Sequence, residues 1–124
     1  MFALSNVLED VPSPPLAPIE QPIDLDHLSR MTLGERSLER EVLELFDRQA
    51  GMLLARMSGL NPSSAAASAH TLKGSARGIG AWRVAEAAEA VECAKGHELE
   101  AALGTLGTAV AEVQAAIASL LLAR

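Results

Sequence analysis

Three features of the chain predict an all-α fold. Hydrophobic residues make up 49% of it, yet aromatics are only 2% and tyrosine is absent. Alanine and leucine therefore carry the apolar load, and both are strong helix formers. Leu99, Leu103, Leu106, Val110, Val113, Ile117 and Leu120 alternate steps of four and three, the seam of a helix packed at a shallow angle. Gly34, Gly59, Asn61-Pro62, Gly78, Gly80 and Gly96 divide the rest into helix-length segments joined by short turns, which makes sequential helices antiparallel neighbours. At 124 residues there is room for one core. The expectation is an up-and-down antiparallel four-helix bundle with a short N-terminal helix capping one end.

Residues 1–22 hold every proline except Pro62, so they read as a flexible proline-rich tail, and the bundle is assigned to residues 23–124. Asp24 caps a short helix from Leu25 to about Met31, which Gly34 breaks. A second helix runs from about Glu35 to Met57. Its apolar stripe is read as Leu38, Val42, Leu45, Phe46, Gln49, Leu53 and Met57, with Glu35, Glu39, Arg40, Asp47 and Arg48 mostly outside it. Ser63 or Ser64 starts the third helix, and Gly78 and Gly80 end it. Ala81 or Trp82 begins the fourth, with Val84, Ala87, Ala88 and Val91 facing inward and Glu86, Glu89 and Glu92 on a solvated face. Gly96 stops it. The last helix carries the seam described above. Its most apolar part, 109–123, is short and holds Glu112 and Gln114, so no membrane span is expected.

The third helix carries the chemistry. Ala65, Ala69, Leu72, Ala76 and Ile79 share its apolar face, and His70 lies about 200° round the helix from Leu72, pointing outward. Its neighbours at helical spacing are Ala66, Ala67, Lys73, Gly74 and Arg77. A neutral imidazole is a competent nucleophile near neutral pH. Lys73 and Arg77 can offset charge on phosphoryl oxygens, which is the main service a protein offers in phosphoryl transfer. Gly74, one turn above the imidazole, leaves a dent through which a phosphoryl group or a partner can approach. A mid-helix glycine costs about 1 kcal/mol relative to alanine, so it calls for a reason.

His70-x-Leu72-Lys73-Gly74-Ser75-Ala76, followed by Gly80-Ala81 and Val91-Glu92, resembles the signature of histidine-containing phosphotransfer (HPt) domains of bacterial phosphorelays. Upstream, Val42-Leu43-Glu44-Leu45-Phe46 looks like the family's preceding long helix. The resemblance runs from Ile23 to the C-terminus, with Val84 and Val91 standing where leucine is more usual. It implies that His70 is phosphorylated, on Nε2, that Lys73 assists the transfer and that Gly74 gives access. It further implies receiver domains of response regulators, or a hybrid histidine kinase, as partners, docking on the exposed faces around His70, where Lys73 lies and the small Ala66, Ala67 and Gly74 allow close approach; Arg77 and Arg83 join this partner-binding set on geometry alone. No cofactor is expected on this chain, because in the family the Mg²⁺ belongs to the partner receiver's acidic pocket.

The remaining features set bounds. A net charge of −6 argues against nucleic acid. From Ala69 to Ala85 the only charged side chains are Lys73, Arg77 and Arg83, a local positive patch in an acidic chain. The single Cys93 reads as a small packing residue and fits a reducing cytoplasm. His27 reads as a surface or packing residue, Trp82 as packing near the bundle end, Ser75 as structural and His97 as solvated. The three histidines lack metal-ligand spacing. No Walker loop is present, so a phosphodonor is required rather than ATP. A free-standing cytoplasmic monomer is expected. A docking module that binds a receiver or kinase without carrying phosphate is the alternative, and the intact His70 and Lys73 count against it.

Overall fold

A computed structural model describes residues 21–58 and 62–123. Residues 1–20, 59–61 and 124 lie outside them, and with them most of the expected proline-rich tail and the expected stops at Gly59 and Asn61. Five helices follow in order: α1 Leu25–Met31, α2 Arg36–Met57, α3 Pro62–Ile79, α4 Trp82–Cys93 and α5 Glu98–Ala123. α3 packs between α2 and α4, and α5 closes the ring against α4 and α2. This is the all-α up-and-down bundle, with α1 laid against α3 at one end.

The helix boundaries follow local chemistry. Asp24 caps α1, its carboxylate accepting the His27 N–H at 3.1 Å. Seven residues are too few for a helix that stands alone; α1 is held by the burial of Leu28 and of Ile23 just before it. α3 begins one residue before Ser63, at Pro62, where the missing N–H costs nothing in the first turn.

The core is built from Leu43, Phe46 and Ala50 of α2, Ala65, Ala69, Leu72 and Ala76 of α3, Val84, Ala88 and Val91 of α4, and Leu106, Val110, Val113 and Ile117 of α5. The stripe on α2 is rotated from the expected one. Glu39, Leu43, Phe46, Ala50, Leu53 and Met57 are buried, whereas Leu38, Leu45 and Met52 are exposed and Val42 and Gln49 are half-buried. Apolar residues cover a wide arc of α2, so periodicity alone allows both choices. Glu39 was expected outside the stripe; it is buried, with Thr32 Oγ1 3.5 Å from its Oε2. Cys93, expected to pack, is exposed.

α5 is one unbroken helix of 26 residues, long and apolar enough by length and composition to cross a membrane. The seam expected from Leu99 to Leu120 lies within it, whereas the only stretch weighed as a membrane span was its second half, 109–123. Here its seam packs on the bundle core through Leu106, Val110, Val113 and Ile117, and Arg40 of α2 donates to the Leu121 carbonyl at 3.0 Å.

Candidate functional site

His70 sits midway along α3 with 69% of its side chain exposed, as its angle from the Leu72 face requires. Across from it, α4 runs antiparallel and presents Glu92. The His70 Nδ1 lies 2.7 Å from Glu92 Oε2. Lys73 Nζ lies 2.6 Å from the other oxygen, Oε1. That oxygen is shielded from water, and the Lys73 contact is an ion pair rather than a well-angled hydrogen bond. One carboxylate thus bridges the imidazole and the ammonium. One turn further along, Arg77 Nη2 stands 3.6 Å from Glu89 Oε1.

The chemistry of the imidazole follows from this arrangement. The Lys73 ammonium foremost, and His70 second, hold the Glu92 carboxyl below the usual carboxylate range, so it is ionised at neutral pH. An ionised carboxylate only accepts hydrogen bonds. Nδ1 therefore carries the proton and donates it to Glu92, and the Nε2 lone pair is left on the solvent side. A third group fixing the tautomer of a histidine is the general arrangement that activates an imidazole.

Gly74 lies on this exposed face, and a Cβ built there would meet nothing within 4 Å. It is not needed for close helix packing; what it leaves open is outside the bundle. Ala67 is exposed beside it and Ala66 half-buried. On the far flank of α3, Ser75 Oγ donates to Gln49 Oε1 at 2.7 Å, tying α3 to α2. Beyond that bond a shallow groove lined by Val42, Leu45, Phe46, Gln49, Ser75 and Ile79 runs between the helices. Leu45 and Met52, seven residues apart on α2, stand more than half exposed along the same flank.

The structure brings His70, Lys73, Gly74, Ala66, Ala67 and Arg77 onto one region of α3. Arg83 is separated from them. It reaches Glu112 of α5 at 3.5 Å, and on α4 it lies nine residues, about half a turn in angle, from Glu92. The positive patch read along the chain is neutralised in space, because Lys73 and Arg77 face Glu92 and Glu89, and Arg83 faces Glu112. Glu92 is the functional candidate that helical periodicity placed on a solvated face. Its spacing matches Glu86 and Glu89, so only its match to the Val91-Glu92 part of the signature could have singled it out. Among the described residues no three His, Cys, Asp or Glu side chains converge; a metal at this site would find His70 and Glu92 only.

The model of the Hpt domain matches residues 40–120. The chain belongs to the Hpt domain family. The crystal structure of the histidine phosphotransferase ShpA from Caulobacter crescentus is similar to it, with a TM-score of 0.65 and 28% sequence identity, over 81% of this chain and 90% of that one. No curated protein sequence matches the chain. An Hpt domain has a phosphotransfer role in a phosphorelay.

Proposed function

We propose that His70 is the phosphoryl acceptor, loaded from the aspartyl phosphate of a receiver domain and discharged to the aspartate of another. The observation that carries this reading is the Nδ1–Glu92 bond, which leaves the Nε2 lone pair free on the exposed side of α3. In the forward step Nε2 attacks phosphorus, the N–P bond forms, and the bond from phosphorus to the aspartyl oxygen breaks with the carboxylate leaving. The imidazole gains positive charge as this happens, and Glu92 is already placed to stabilise it. Retaining the Nδ1 proton also keeps the phosphorylated ring a good leaving group, which suits a carrier that must give the phosphoryl group up again.

Lys73 holds Glu92 ionised and in position before transfer. Its service to the phosphoryl oxygens requires Nζ to exchange from Glu92 Oε1 to the incoming group. Gly74 leaves the approach to His70 open. The receiver rests on the bare ridge of α3 around Ala67 and Gly74 and on the apolar flank of Leu45 and Met52. The Mg²⁺ of the reaction is the receiver's, and the chain works in the cytoplasm as a monomer.

The test is to incubate the purified chain with a phosphorylated receiver and Mg²⁺, beside a His70→Gln variant. Acid-labile, base-stable phosphate on wild type and none on the variant is expected. Receiver binding without label on wild type would leave a docking module that carries no phosphate.

A further inference from the structure

His70 and Glu92 hang on opposite arms of one hairpin, the α3–α4 pair, whose connection is only Gly80 and Ala81. The short helix α1 crosses that connection and bonds to both arms and to the link between them. The Asp24 N–H donates to the Gly80 carbonyl at 2.9 Å. Trp82 Nε1, at the start of α4, donates to Asp24 Oδ2 at 3.0 Å. His27 Nε2 donates to the Arg77 carbonyl in the last turn of α3 at 2.9 Å, and its ring meets Trp82 edge-on with centroids 4.8 Å apart. The approach is as close as glycine permits: Gly80 has φ +80°, and a Cβ there would come within 2.9 Å of the Asp24 carbonyl oxygen. None of these groups touches His70.

We infer that Asp24, His27 and Trp82 are positioning residues for the phosphoryl site, a clamp that sets the angle of the α3–α4 hairpin and so the His70–Glu92 distance. The inference rests on the reading of His70 as the phosphoryl acceptor. His70 lies ten residues before Gly80, and Glu92 ten residues after Trp82, so each is about 15 Å along its arm from the turn at 1.5 Å per residue. Over that lever an opening of about 4° moves the carboxylate about 1 Å relative to the imidazole. The Nδ1–Glu92 bond at 2.7 Å does not survive such a shift unchanged. A misplacement of about 1 Å by a change far from the chemistry can cost roughly 10²-fold in rate.

The test compares His27→Leu, which removes the donor to Arg77, with His27→Gln, whose amide can still donate there, and with Trp82→Phe, which removes the indole donor to Asp24. Two readouts are taken on chains shown to be folded by circular dichroism: the ring-nitrogen NMR shifts of His70, which report the fraction carrying the proton on Nδ1, and the rate of phosphoryl transfer from a phosphorylated receiver. His27→Leu and Trp82→Phe are expected to lose the Nδ1–H preference and to slow transfer about tenfold, while His27→Gln restores both. Unchanged ring shifts and rates in folded His27→Leu and Trp82→Phe overturn the clamp, as does a His27→Gln chain that behaves like His27→Leu. Should His27→Leu fail to fold, Trp82→Phe decides alone. A wild-type chain that takes no phosphoryl group at all defeats the functional reading instead, and the ring shifts still test the clamp by themselves.

Discussion

The two flanks of α3 are built differently. Toward α4 the contacts are ionic: His70 and Lys73 share Glu92, and Arg77 faces Glu89. Toward α2 the Ser75–Gln49 hydrogen bond ties the two helices, and beyond it Leu38, Leu45 and Met52 stand exposed at seven-residue spacing. Bond-making chemistry needs a fixed donor and acceptor geometry, which the charged flank supplies. Recognition needs apolar area that a partner can cover, which only the other flank supplies. Under the proposed function, this separation keeps the docking flank apart from the reactive imidazole.

The separation makes the two flanks distinguishable by mutation. Glu92→Gln keeps the shape but removes the charge that holds the Nδ1 proton. Transfer at saturating receiver should slow by about 10²-fold, the scale of a lost orienting group, with receiver affinity little changed in a titration. Met52→Glu does the reverse. It should weaken receiver binding about tenfold, roughly 1.4 kcal/mol, and leave the saturated rate alone in single-turnover kinetics. A variant that moved both quantities together would show that the flanks are one functional surface.

Smaller effects sharpen the picture. Gly74→Ala adds a Cβ into open space and should stabilise α3 by about 1 kcal/mol in thermal melts. If Gly74 serves access, the same variant slows transfer while it raises the melting temperature. Acid should act on the charged flank and the clamp first. Glu92 is lowered chiefly by Lys73, and Asp24 chiefly by its bond from Trp82, from ordinary values of 4.5 and 3.8. A carboxylate lowered in the folded state contributes its full stability above the ordinary value and loses it as pH falls through the lowered one. The side-chain carboxyl NMR signals of Glu92 and Asp24 should therefore titrate with midpoints below 4.5 and 3.8 respectively, while methyl signals from Leu45 and Met52 lag behind.

Much of this was legible in the sequence. The seam of α5, the Asp24 cap, the start of α4 at Trp82 and the outward angle of His70 follow from spacing and capping chemistry, which are local. The buried face of α2 was legible only in part: Phe46, Leu53 and Met57 are buried as expected, but Leu38–Leu45–Met52 and Glu39–Leu43–Phe46–Ala50 have equally good helical spacing and only the placement of α3 chooses between them. The role of Glu92 was not legible either from its helix, since the side chain it meets is 22 residues away on another element. The same is true of the apparent positive patch, whose compensating acids lie on α4 and α5, beyond the run of sequence that seemed basic.

The proposed function turns on Glu92 fixing His70 with its reactive lone pair on Nε2. The measurement that tests it most directly is the position of the phosphoryl group on the imidazole after transfer from a phosphorylated receiver, read from ring-nitrogen and phosphorus NMR of the labelled chain. Phosphate on Nε2, with Nδ1 still protonated, is the predicted result. Phosphate on Nδ1 would mean that the His70–Glu92 bond breaks before reaction, and that Glu92 does not direct the transfer.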